Sequence, residues 1–187
     1  MARGDTAENL LSRNDTALVI VDIQERLMPS IANHETLLAN VLRLIRFARI
    51  LNLPILASQQ IKLGPLVSEI ASELPDLEVT TKAEFGALKC PEFSQRVDAS
   101  GRNTLIVVGM EAHICVAQTV LHAVPRYRVH VISDAVGSRT EDNWRVGIER
   151  MRQTGAIISS TEMLMYELME RAGTDEFRAV LPIVKGT

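Results

Sequence analysis

The sequence predicts an α/β fold, a mostly parallel Rossmann-like sheet covered by helices on both faces. Short apolar, β-branched runs alternate with helical segments from Ala17 to the C-terminal region. The runs are apolar at nearly every position, as in strands buried on both faces. No repeat, low-complexity tract or linker divides the 187 residues, a length that suits one domain with one sizeable core. Residues 1–14 are polar and are expected to be a flexible N-terminal arm, with a single domain over 15–187.

The elements are predicted in order. Ala17-Leu-Val-Ile-Val-Asp22 is an apolar strand that stops on an acid, and a loop containing Pro29 follows. Leu37, Leu38, Val41, Leu42, Ile45 and Ala48 repeat at helical spacing, which predicts a helix over 35–51 with Asn33 as its cap. Leu53-Pro54 stops that helix, and residues 54–58 form the second strand. A short helix over 66–72 precedes a third strand that ends on Lys82. Pro91 opens a helix over 91–98. Leu105 to Val108 make the fourth strand, closed by Gly109, and Val116, Ala117, Val120, Leu121 and Val124 mark the helix after it. The fifth strand covers 127–133, a helix over 141–153 ends at Gly155, and the sixth strand covers 156–159. Two helices, over 161–171 and 175–181, close the chain. Met163, Leu164, Met165, Leu168 and Met169 suit either the core or a subunit interface, and a homo-oligomer is expected.

Composition excludes several classes. Net charge is −3 and the pI is near 5.8, so no basic field invites nucleic acid. No apolar run approaches the roughly 20 residues that span a bilayer. The polar, acid-bearing start is neither a secretory signal nor an Arg-rich transit peptide. Two cysteines, Cys90 and Cys115, make no disulfide framework, which points to a reducing, cytoplasmic setting.

Chemistry collects at strand ends. In an open parallel sheet the carboxyl ends of the strands converge on one edge, where ligands bind. Asp22, Lys82 and Cys115 each follow a different strand and would share that edge. Cys115 falls in the first turn of the predicted helix, where unpaired N–H groups and the helix dipole favour thiolate over thiol. The same position suits a small buried hydrophobe, the commonest role of a free cysteine. Asp alone starts turns, and Lys alone is usually a surface cation. An acid, a base and a thiol together are less easily accidental. Gln24, Gln59, Gln60 and Phe85 lie beside these strand ends as candidate pocket residues, with capping or core packing as their plainer roles.

From about Asp15 to Pro182 the chain resembles the isochorismatase-like cysteine hydrolases. The resemblance rests on Val21-Asp22-Ile-Gln24, Lys82-Ala-Glu-Phe85, Gly109-Met-Glu-Ala-His-Ile-Cys115-Val116 and Asp134-Ala-Val-Gly-Ser138-Arg139, each in order after its strand. Glu149 to Ala156 and Ser160-Thr-Glu-Met163 complete it. Within the family the chain is most similar to the isochorismatase-domain-containing branch. The resemblance implies the three-layer isochorismatase-like fold with six strands. It implies Cys115 as nucleophile, Asp22 as general base and Lys82 as the group that orients Asp22. It also implies a cis peptide at Met110-Glu111 and an oxyanion hole from the backbone N–H groups of Glu111 and Cys115. The expected reaction is hydrolysis of a small amide-type substrate through a covalent thioester-like intermediate, without cofactor.

Departures sharpen that expectation. The metal-containing nicotinamidase branch has Asp-x-His and a second His after its second strand. Here the region reads Ser58-Gln59-Gln60-Ile61-Lys62-Leu63-Gly64-Pro65, so no metal is expected. True isochorismatases lack the nucleophilic cysteine that this chain keeps. His113 stands where many relatives have Asp and reads as a solvent-touching loop histidine, while Ser138, Arg139 and Trp144 read as structural or interfacial. A non-catalytic binding module and a redox sensor pairing Cys115 with Cys90 are the competing readings.

Overall fold

The computed structural model describes residues 10–185. Six strands form one sheet: β1 (Thr16–Val21), β2 (Ile55–Gln60), β3 (Val79–Lys82), β4 (Thr104–Met110), β5 (Arg128–Gly137) and β6 (Ile157–Ser159). Their order is β3-β2-β1-β4-β5-β6, and every pairing is parallel. The helices are α1 (His34–Ile50), α2 (Ser68–Glu73), α3 (Pro91–Ala99), α4 (Ala117–Ala123), α5 (Glu141–Gln153), α6 (Thr161–Met169) and α7 (Asp175–Lys185).

Alternation along the buried strands feeds two cores. Leu18 and Ile20 of β1 point into a core with α1, α2, α6 and α7, built around residues such as Leu37, Ile70, Leu164 and Val180. Ala17, Val19 and Val21 point into the other, with Phe93 and Val97 of α3, Val120 of α4, and Ile148 and Met151 of α5. The result is the expected three-layer α/β/α arrangement, with apolar side chains on both strand faces. The chain builds outward from β1 to β3, then returns to place β4 on the other side of β1. The carboxyl ends of β1 and β4 therefore flank the switch point, where an open sheet leaves a crevice.

Several local expectations shift. Asn33 takes the N-cap position of α1 but makes no side-chain capping bond. β2 runs two residues further than predicted, through Gln59 and Gln60, because its ladder with β3 continues to Gln60 and Lys82. β5 extends to Gly137, with a register shift against β4 between Val107 and Gly109. The helix expected after β4, with Cys115 in its first turn, is split. Residues Ala112–Val116 form a π-turn, in which the Val116 N–H reaches back to the Glu111 carbonyl at 3.2 Å, and α4 begins only at Ala117. Cys115 is thus in the π-turn and not in the first turn of an α-helix.

Of the segment read as an arm, residues 1–9 lie outside the described residues. Leu11 is buried in the α1 core, and Arg13 forms an ion pair with Glu176 at 2.7 Å. Among the described residues no helix is long and apolar enough to cross a membrane.

Candidate active site

Asp22 immediately follows β1 at φ 53°, in the left-handed region that Asp tolerates better than most residues. Its N–H donates to the Ser58 carbonyl at 3.1 Å, tying it to the end of β2. Its carboxylate is fully buried and accepts from two side chains. Ser58 Oγ donates to Oδ1 at 2.8 Å, and Lys82 Nζ donates to Oδ2 at 2.6 Å. Lys82 is equally enclosed, both side chains of the pair having no exposed surface. An ion pair so buried persists only when its remaining hydrogen-bonding capacity is met. Lys82 meets it through Gln60 Oε1 at 2.7 Å, the Glu84 carbonyl at 3.1 Å and the Phe85 carbonyl at 3.3 Å.

Cys115 completes the group, with the charges of Asp22 and Lys82 both acting on its thiol. The expectation of a thiolate favoured at rest is corrected. Burial pushes the Cys115 thiol up to about 12, and the Asp22 charge pushes the same way, against the opposing charge of Lys82. The resting sulfur is a neutral thiol beside a carboxylate able to take its proton. The peptide bond between Met110 and Glu111 is cis. Gly109 precedes it at φ 128°, and a Cβ there would lie 2.0 Å from the Val21 carbonyl oxygen. That close approach of β4 to β1 requires glycine.

A cavity of about 270 Å³ opens on the sulfur, walled by Leu27, Leu63, Phe85 and Ile114, with Gln60, Glu111 and Arg139 supplying polar groups. Larger hollows beside Tyr166 and beside Trp144 contain none of the three strand-end groups, so the chemistry and not the volume selects this site. Glu111 is nearly buried, and the Arg139 guanidinium donates to its carboxylate through Nε at 2.8 Å. Among the described residues no group of histidine, cysteine, aspartate and glutamate is arranged to hold a metal.

The pocket candidates separate. Phe85 and Gln60 line the cavity. Gln24 does not: it is buried, its Nε2 donates to the carbonyls of Gln60 and Gly64, and its Oε1 accepts from the Gln60 N–H at 2.7 Å. Gln59 faces a different hollow, beside Leu66 and Ile70, and donates to Thr81 Oγ1 at 2.8 Å. Both glutamines were candidates by sequence position, but alternation and backbone bonding turn them away from the sulfur. Ser58 escaped the sequence reading. Its only signal is a small polar residue ending an apolar strand, in register with Val21. Arg139, read as structural, stands in the cavity wall. His113 lies against Ser138 Oγ at 3.1 Å, partly shielded from solvent.

The sequence profile of the isochorismatase domain matches residues 16–163. The chain belongs to the isochorismatase family. The secreted isochorismatase effector Isc1 of Phytophthora sojae is 33% identical, over 99% of this chain and 93% of its own length. Isochorismatase domain-containing protein 2 of Macaca fascicularis is 32% identical, over 90% and 82%. Among solved structures of the fold are two YcaC proteins. One, from Pseudomonas aeruginosa with hexane-2,5-diol and covalent acrylamide, superposes at TM-score 0.87 with 27% identity, over 94% of this chain and 91% of that one. The other, from Escherichia coli, is described as an octameric hydrolase of unknown specificity, at TM-score 0.88 with 28% identity, over 94% and 89%. The family assignment and the six-stranded parallel fold agree with what the sequence resemblance implied.

Proposed function

We propose that this isochorismatase-family chain is a metal-independent cysteine hydrolase of small amide-type substrates, working as one domain over residues 15–187. The observation that carries the proposal is the Cys115 sulfur under the charges of a buried Asp22–Lys82 pair, at the wall of a solvent-reachable cavity. A buried hydrophobic cysteine has no use for such neighbours.

Asp22 takes the thiol proton as Sγ attacks the substrate carbonyl carbon, so no free thiolate accumulates beforehand. The carbonyl oxygen becomes an oxyanion, held by the backbone N–H groups of Glu111 and Cys115. The C–N bond breaks as Asp22 returns that proton to the departing nitrogen, leaving a thioester on Cys115. Water then gives a proton to Asp22 and attacks the thioester carbon. The acid leaves, and the proton returns to Sγ. Lys82 stays an ammonium throughout and keeps Asp22 oriented. The covalent acrylamide on the Pseudomonas aeruginosa YcaC supports a nucleophilic site in this fold. The octameric YcaC supports a homo-oligomer here. Two free cysteines suit a reducing compartment such as the cytoplasm. Because one relative is named a secreted effector, cell fractionation is the measurement that decides compartment.

The test is a panel of small primary and N-substituted amides, followed by amine release, with wild type and Cys115→Ala. Turnover of at least one amide by wild type, falling by about 10³-fold or more in Cys115→Ala, is the expected result. Turnover that survives Cys115→Ala, or none on any amide, would overturn it.

A further inference from the structure

An ammonium has three N–H bonds to give. Lys82 Nζ stands within hydrogen-bond distance of four acceptors: Asp22 Oδ2, Gln60 Oε1 and the carbonyls of Glu84 and Phe85. The two shortest contacts, at 2.6 and 2.7 Å, go to Asp22 and Gln60, and the two carbonyls share what is left. No donor remains for a substrate or for the sulfur. Lys82 therefore acts only through Asp22 and through its charge, and its position rests on the groups that hold it.

Among those groups Gln60 is the only side chain besides Asp22. Its amide is fixed at both ends, since Nε2 donates to the Ala83 carbonyl at 2.8 Å while Oε1 accepts from Lys82. Its backbone is fixed as well. The N–H donates to Gln24 Oε1, and the carbonyl accepts from Gln24 Nε2 at 2.9 Å. Register pairs Gln60 with Lys82 across β2 and β3, so the clamp spans two neighbouring strand ends. A side chain with both amide ends committed to the protein is poorly disposed to bind substrate, although it lines the cavity.

We propose that Gln60 is a positioning residue that holds the Lys82 ammonium against Asp22, and not a substrate-binding group. The proposal rests on the cysteine-hydrolase reading. The charges around the sulfur are those of Asp22, Lys82 and Glu111, with Arg139 paired to Glu111. Lys82 is the cation in that set that supports the thiolate, so an ill-placed Lys82 lowers the thiolate fraction at every pH.

The experiment measures the rate of iodoacetamide labelling of Cys115 between pH 7 and 9.5, read by peptide mass, in wild type, Gln60→Leu and Gln60→Glu. Gln60→Leu removes the acceptor at similar volume. Gln60→Glu keeps an oxygen for Lys82 but adds a negative charge that competes with Asp22. Both are expected to label more slowly than wild type across the range, by at least about threefold, the effect of about half a pKa unit. Turnover, where an amide substrate is found, should fall in kcat more than it rises in KM. General loosening of the structure would instead raise labelling by exposing the sulfur. A substrate-binding Gln60 would leave labelling unchanged and raise KM. Either of those outcomes in Gln60→Glu, with its thermal midpoint near that of wild type, overturns the proposal, even if Gln60→Leu fails to fold. Failure of the hydrolase reading is seen separately, as wild-type activity that does not depend on Cys115.

Discussion

Cys115 has its reactivity withheld at rest. Burial and the neighbouring Asp22 charge push its thiol up to about 12. Since thiolate is the form that reacts with alkylating agents, iodoacetamide labelling of wild type should climb with pH through the alkaline range. A plateau near neutrality would reveal a preformed thiolate and contradict the geometry. Ser58 is the second residue to test. Ser58→Ala removes the donor to Asp22 Oδ1 and leaves a buried carboxylate oxygen without it. Loss of a hydrogen bond to a buried charged group should cost about 1–3 kcal/mol in chemical denaturation. Turnover should fall as Asp22 gains freedom to turn from the sulfur. Unchanged stability and rate in Ser58→Ala would mean that Lys82 alone fixes the carboxylate.

The π-turn is where elements meet around Cys115. Val116 reaches back to Glu111, setting Cys115 between the end of β4 and the start of α4. α5 closes it from behind through Gly147, where an added Cβ would lie 2.8 Å from the Ala112 carbonyl oxygen and 2.9 Å from its carbon. Those are backbone atoms of the turn itself, and they cannot give way without moving the sulfur. Gly147→Ala should therefore destabilise the protein by about 1–3 kcal/mol, the usual range for overpacking. It should also reduce Cys115-dependent turnover out of proportion to that loss, compared at a temperature where both proteins are folded. Gly147→Ala with full activity would mean that the turn adjusts without displacing Cys115. Just before the turn, Glu111 pairs with Arg139, which links the residue after the cis peptide to the segment after β5.

At the scale of the whole molecule, stability depends on the polar groups that the core encloses without a partner, His130 among them. His130 of β5 is 1% exposed, and neither ring nitrogen has a hydrogen-bond partner among the described residues. Burial, with the Arg128 charge adding, pushes its pKa down from 6.5 to about 4. The folded value lies below the unfolded one, so in that window the unfolded chain binds more protons. Its contribution to stability is fully present above about pH 6.5 and is lost as pH falls toward 4. Denaturant midpoints measured from pH 7 to 4 should decline in wild type and decline less in His130→Leu. Equal slopes in the two proteins would rule out His130 as the source.

The order of strands and helices could be read from the sequence because it is set by short-range periodicity. Runs such as Leu105 to Val108 and the apolar stripe from Leu37 to Ala48 carry their element type within a few residues. The sheet edge that would gather Asp22, Lys82 and Cys115 followed from that order, since parallel strands end together. What each group is bonded to did not follow. Lys82 and Asp22 are 60 residues apart in the chain, and Gln24 and Gln60 are 36 apart. Nearest neighbours at such separations are chosen by packing. The π-turn in place of a helix start, the turning of Gln24 and Gln59 away from the cavity, and the entry of Arg139 into its wall were all decided there. So was the state of the sulfur. A residue's type sets its ordinary pKa, but desolvation and neighbouring charge exist only once surrounding atoms have replaced water.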